Sequence, residues 1–186
     1  MLGGFFLSWG GLIIRSFETN DIWQILLIRS LFFIIALTIF LFITYKKHTI
    51  KEIKKSGFPA IIAGLFLSLS FVAYVVAMSK TTVANVVFII STQTIFLALF
   101  GFLFLKEKIS FKGLIAITLA FLGMLVMVGD SINQGTLFGN IVAFAIPINF
   151  TILVMIIRKF PNLDMVPAIF YSGIFSGMYG LLLANN

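Results

Sequence analysis

The chain has 186 residues, of which 61% are hydrophobic and only 10% charged, and its mean hydropathy is +1.16. A soluble domain carries charge on about a quarter of its residues, so this composition describes an integral membrane protein of the all-α class, embedded in lipid. The net charge of +7 invites a nucleic-acid reading, yet Lys and Arg fall in short tracts between apolar runs, and no nucleic acid is expected as a partner. With no cysteine, and with its single histidine, His48, inside a lysine tract, the chain is expected to build neither a disulfide framework nor a metal centre, and no cofactor is expected.

The first apolar run, residues 1–14, is short for a span and stops at Arg15. It lacks the basic leader and small-residue cleavage site of a signal peptide, so it reads as a first membrane helix whose start is missing. A polar turn with Glu18 and Asp21 leads into a second helix over 22–45. A tract containing Lys46, Lys47, Lys51, Lys54 and Lys55 follows, with Glu52 as its one acid. The third helix, 57–78, is opened by Pro59, which a first helical turn tolerates because its missing N–H has no partner there.

The fourth helix, 82–105, carries no formal charge; at about 1.5 Å rise per residue it reaches ~36 Å, enough to cross a hydrocarbon core of ~30 Å. Near its middle stands Ser91-Thr92-Gln93-Thr94, hydrogen-bonding side chains at a depth where protein or a hydrated cavity must satisfy them. The elbow Lys106-Glu107-Lys108 ends it, with Glu107 expected in a solvated turn capping the next helix. The fifth helix starts near Gly113 and ends before Gly129-Asp130; the sixth covers 136–157 and the seventh 165–184.

Of the 13 Lys and Arg residues, all but Arg15, Arg29 and Lys80 cluster at the far ends of the second, fourth and sixth helices. By the positive-inside rule those ends face the cytoplasm, which puts the N-terminus inside and the last residue outside. A repeat search aligns Ile13-Ile14-Arg15-Ser16-Phe17-Glu18-Thr19-Asn20-Asp21 with Ile156-Ile157-Arg158-Lys159-Phe160-Pro161-Asn162-Leu163-Asp164 at an offset of 143 residues. Five helices lie within that offset. An odd number inverts the second copy, as in transporters whose substrate site lies at midplane between mirror-oriented halves. The expected organisation is a first five-helix repeat over 1–129 and the start of a second, two helices long, over 136–186, about seven spans in all.

Small residues recur at helix-face spacing in Gly113, Ala116, Ala120 and Gly123, in Gly173, Gly177, Gly180 and Ala184, and in Ser91, Thr94, Ala98 and Gly101. Such stripes let helices approach closely, so each is expected to face a neighbour.

Taken with Ser8-Trp9-Gly10, Arg29, the 77–83 connection, Leu105-Lys106-Glu107-Lys108-Ile109 and the pair Gly113 and Gly123, this order of helices resembles the drug/metabolite transporter superfamily, in particular its EamA-type members. The resemblance implies two inverted five-helix repeats, a small organic solute as substrate, and a chain about half as long again. It departs from the family pattern at mid-helix 4, where members often carry proline and this chain has Gln93 and Thr94.

The candidate substrate-binding residues are Trp9, Arg29, Tyr74, Asn85, Thr92, Gln93, Pro147 and Asn149. Pro147 removes a helical hydrogen bond and frees a carbonyl near Ala143, with the Asn149 amide beside it; the plainer alternative is a kink with interhelical glue. Asn85 and Thr92 share one helix face, and with Trp9 and Tyr74 they are placed to line a cavity. Arg29, about 10 Å down its helix, either grips a substrate carboxylate in bidentate fashion or snorkels and ties two helices together.

The six acids all fall at helix ends or in loops, so no midplane carboxylate carries protons, and no Gly-rich Lys-Ser/Thr loop binds ATP. A retinal protein would need a lysine in the last helix, which has none. The sequence therefore points to a secondary transporter, exporter or exchanger, in the inner membrane; the alternative is a non-transporting membrane subunit or an incomplete transporter fragment. A homodimer stays open.

Overall fold

The computed structural model describes residues 22–133 and 136–184, and every described element is helical. The predicted first helix with Trp9, and the polar turn with Arg15, Glu18 and Asp21, lie outside the described residues. In chain order the elements are α1 (Ile22–Tyr45), a 3₁₀ turn (Lys46–His48), α2 (Thr49–Lys80), α3 (Val83–Ser91), α4 (Gln93–Leu105), α5 (Phe111–Asn133), α6 (Leu137–Lys159) and α7 (Val166–Ala184). The stretch Ile22–Lys80, which holds α1 and α2, together with Val83–Leu105, Leu137–Lys159 and Val166–Ala184, is long and apolar enough to cross a membrane, and the first part of α5, Phe111–Gly123, is apolar as well. Phe32 is 71% exposed and Phe104 69%, a surface that water would not tolerate at this density and that lipid favours. The chain is a polytopic helical membrane protein.

Four boundaries differ from the sequence expectation. The lysine tract is itself helical over 49–56 and joins the rest of α2 through Gly57, whose φ of 60° and ψ of −159° break the helix before Pro59. Only glycine adopts that backbone without strain. The fourth predicted helix is divided at Thr92 into α3 and α4. At the elbow, Ser110, not Glu107, caps the next helix: the Gly113 N–H donates to Ser110 Oγ at 3.1 Å. Glu107 instead closes α4: behind a left-handed Lys106, the Glu107 N–H reaches Gly101 O at 3.1 Å, which satisfies a carbonyl left open at the helix end. α5 also continues past the predicted stop at Gly129 to Asn133.

The described residues form two compact units, one over Ala73–Thr151 and the other over 22–72 with 152–184. In the first, Ala73, Ala77 and Met78 of α2, Val86 and Ile89 of α3, and Ala143 and Ile146 of α6 make a buried apolar cluster. The end of α2 meets the start of α6 so closely that a Cβ on Gly139 would stand 2.6 Å from the Lys80 carbonyl carbon.

In the second unit α7 lies along α1 through its predicted glycine stripe. A Cβ on Gly180 would meet the Leu27 backbone at 2.9 Å, one on Gly177 meets Ser30 at 3.6 Å, and one on Gly173 meets Ile34 at 2.9 Å. As the number rises along α7 its partner's falls along α1, so the two helices run antiparallel. On its other flank α7 presses on α2, where a Cβ on Gly64 would stand 2.7 Å from Ala168 O. By contrast, Ala116 and Gly123 of the α5 stripe are exposed, as are Ser91 of α3 and Thr94 of α4, while Gly101 is buried and Ala98, Gly113 and Ala120 are half-buried, so those two sets pack only in part.

Candidate functional site

The three hydroxyls of the polar row at the middle of the fourth span are satisfied by their own helix. Ser91 Oγ donates to Phe88 O at 2.6 Å, Thr92 Oγ1 to Ile89 O at 2.6 Å and Thr94 Oγ1 to Ser91 O at 3.5 Å. Consecutive Ser and Thr hydroxyls compete with the helical ladder for carbonyls. Here the competition tightens the turn: the Thr92 N–H bonds Ile89 O and the Ile95 N–H bonds Thr92 O, both three residues apart. Thr92 is thus buried as a structural joint, while the Gln93 amide beside it is half-buried.

The polar contact that links helices in this unit lies one end of α3 away. α3 starts where Thr82 Oγ1 accepts the Asn85 N–H at 3.1 Å, an N-cap that fixes Asn85 in the first turn. The Asn85 amide then donates to Thr81 Oγ1 at 3.1 Å and to Asn140 Oδ1 at 3.3 Å, and Thr81 Oγ1 donates to Asn140 Oδ1 at 2.6 Å. Asn140 is fully buried in the first turn of α6. One turn earlier, Thr136 Oγ1 is buried with no hydrogen-bond partner among the described residues, a state that costs about 1–3 kcal/mol.

Of the eight residues the sequence singled out, Tyr74, Asn85, Thr92, Gln93, Pro147 and Asn149 belong to this unit. Tyr74 is half-buried against the apolar cluster. Pro147 is buried within an α6 that stays helical through it, and Thr151 Oγ1 donates to the Pro147 carbonyl at 2.7 Å. The carbonyl that Pro147 releases belongs to Ala143, itself fully buried in the cluster. Asn149 is half-buried on the following turn. Trp9 lies outside the described residues.

Arg29 stands in the other unit. It is exposed on α1, not buried as its position in an apolar run suggests. Its guanidinium carbon lies 5.3 Å from the Phe71 ring centroid, and Phe71 meets Phe33 edge-on at 5.3 Å. The stacking joins α1 to α2 and contributes about 0.5–1 kcal/mol at an exposed site. Beneath it Ser30 and Ser176, both buried, share a hydrogen bond of 2.7 Å between α1 and α7. Leu26, Arg29, Ser30, Phe33, Phe71 and Ser176 enclose about 20 Å³, room for roughly one water and far below the ~300 Å³ of an organic ligand site.

Sequence reasoning missed Asn140, Thr81, Ser30 and Ser176. Asn140 carried a usable signal, an amide inside an apolar helix, where lipid offers it no partner. The two serines carried none, since a hydroxyl in a helix can always bond its own turn, as Ser30 also does to Leu26 O at 2.7 Å.

No curated protein and no solved structure matches the chain. A family model does: the EamA-like transporter family aligns with residues 1–129. A match over more than half the sequence, on a chain whose described elements are apolar helices of spanning length, assigns the protein: it belongs to the EamA-like transporter family.

Proposed function

We propose that the chain acts as a secondary transporter of small organic solutes in the cytoplasmic membrane, exporting or exchanging them by alternating access between two inverted halves, with its N-terminus in the cytoplasm. Family membership supplies the class, a membrane transporter. The observation that carries the mechanism is the antiparallel contact of α1 with α7. The 143-residue offset makes these two helices equivalents of one another, and mirror-oriented copies of a helix that meet must run in opposite directions.

Two further contacts support alternate crossing of the membrane. Tyr45, at the end of α1, hydrogen-bonds Asp164, in the link between α6 and α7; the end of α2 meets the start of α6 at Gly139 and Asn140. Each pair joins chain ends that the basic-residue pattern places on the same side. The solute contacts we assign to Gln93, Pro147 and Asn149 rest on amides and a released carbonyl within the spans, with Tyr74 as an aromatic wall and Asn85 at the start of α3.

The test is uptake of a labelled metabolite panel into proteoliposomes containing the chain. Transport of at least one solute, abolished by Pro147→Ala with Asn149→Leu while membrane insertion is unchanged, is the expected result. Uptake that survives the double substitution would remove the α6 site.

A further inference from the structure

The segment between α1 and the membrane-crossing part of α2 has a feature that transport does not explain. Residues 46–56 fold as a 3₁₀ turn and a short helix, closed by the left-handed Gly57. Around that helix Thr49 and Ser56 are buried and Glu52 and Ile53 half-buried, whereas Ile50, Lys51, Lys54 and Lys55 are exposed. At 100° per residue the exposed four fall on one face, opposite the buried pair. Lys46, Lys47 and His48 are exposed in the preceding turn. Thr49 Oγ1 holds the segment to the last turns of α1 through Leu41 O at 3.3 Å and closes the turn through Lys46 O at 2.8 Å, so the lysine face is presented by a folded element.

Charge on this face is nearly all of one sign. Glu52 is its one acid, 3.9 Å from Lys55 Nζ. The hydrogen bond from Tyr45 to Asp164 brings the link after α6, which follows Arg158 and Lys159, to the same end of the unit. Immediately beside the lysines the surface turns apolar: Ile43 is 69% exposed on α1, Ile50 67%, and Phe58, just past Gly57, 72%. A lysine face that borders a hydrocarbon-facing surface sits at the depth of lipid headgroups, and lysine stems reach along apolar surface while their ammonium groups stay in the polar layer.

We propose that residues 46–58 form a docking surface for the anionic leaflet, in which Lys47, Lys51, Lys54 and Lys55 engage negatively charged phospholipid headgroups while Ile50 and Phe58 insert among the acyl chains. The occupant is chosen by charge complementarity and by continuity with the lipid-facing surface. A soluble polyanion would match the lysines but leave Ile50 and Phe58 in water. The proposal rests on the membrane placement of the chain and is independent of whether it transports anything.

The native chain has no cysteine, so Ile50→Cys introduces a single thiol for an environment-sensitive fluorophore. The labelled protein is reconstituted into phosphatidylcholine nanodiscs containing equal small fractions of headgroup spin-labelled lipid, either phosphatidylglycerol or phosphatidylcholine. Each lysine near an anionic surface shifts residence by about fivefold, so quenching by the anionic label should exceed that by the neutral label several-fold. The excess should collapse between 0.1 M and 1 M salt as the screening length falls from ~10 Å to ~3 Å. Lys51→Gln with Lys54→Gln and Lys55→Gln should abolish the excess, and the corresponding arginine triple should keep it. Equal quenching by the two lipids in the lysine protein, no quenching by either, or an excess that survives the glutamine triple would each overturn the proposal. Because the readout is lipid contact, its failure leaves the transporter reading standing, and failure of transport leaves it untouched.

Discussion

Replacing Asn140 by leucine should loosen the first unit by an amount that can be worked from its contacts. The Asn140 amide oxygen accepts from Thr81 at 2.6 Å and from Asn85 at 3.3 Å, with the side chain fully buried. Hydrogen bonds between helices in a membrane average ~0.6 kcal/mol and reach ~1.7, so two of them account for about 1–3 kcal/mol. Stranding a buried donor adds ~1–3 kcal/mol, although Asn85 can still donate to Thr81 Oγ1 at 3.1 Å, which keeps the total near 2–4. Thr81→Val alone removes the shortest bond and should cost about 1–2 kcal/mol. The decisive quantity is the coupling between the two. Unfolding in mixed micelles of increasing sodium dodecyl sulfate, followed by circular dichroism, gives the free energies of the wild type, the single variants and the pair. A coupling of ~0.6–1.7 kcal/mol is expected. Additivity to within ~0.3 kcal/mol would mean that Thr81 and Asn140 do not interact, and the link from the α2 end to α6 would have to be sought elsewhere.

Three other outcomes can be checked. Gly180→Ala drives a Cβ to 2.9 Å from the Leu27 backbone and should destabilise the fold by ~1–3 kcal/mol, whereas Gly177→Ala meets Ser30 at an ordinary 3.6 Å and should be neutral or gain up to ~1 kcal/mol of helix propensity; equal effects in the same unfolding assay would contradict the α1–α7 contact. A periplasm-active reporter fused after Asp130 should be active and one fused after Lys55 silent, and the reverse pattern would invert the orientation. Pro147→Ala with Asn149→Leu should abolish solute uptake in proteoliposomes at unchanged expression in the membrane.

Much of the helical framework is readable from composition and spacing, because lipid leaves the backbone few options and an uncharged run of sufficient length has to be a helix. The boundaries of α1, α6 and α7 follow from where charge and proline stop. What spacing conveys less well is which face meets a partner. Gly173, Gly177 and Gly180 do lie against α1, but Ala116 and Gly123 follow the same rule and are exposed. A small residue permits close approach without requiring it, and the partner is fixed by the rest of the chain. The mid-span hydroxyls mislead in a different way. Ser91, Thr92 and Thr94 look like groups in search of a cavity, yet each finds a carbonyl three residues back, a solution that a count of polar atoms cannot show. The amide of Asn140 in an apolar helix is a signal weakened by its place near the helix start, where polar residues are ordinary. Only the arrival of Thr81 and Asn85 makes it a junction. The lysine tract reads as a connection from its charge, although its apolar residues already fit a helical period.

The joint at Thr92 has a mechanical consequence. Two backbone bonds there span three residues, with Thr92 O also accepting the Phe96 N–H at 3.3 Å, so Val83–Leu105 is two rods joined by a tightened turn rather than one bar. The Ser91, Thr92 and Thr94 hydroxyls each donate to a carbonyl at that level, so those three acceptors stay covered when the rods tilt against each other. Flexing the span at that level is therefore cheap, whereas bending either rod elsewhere would expose its ladder to oil.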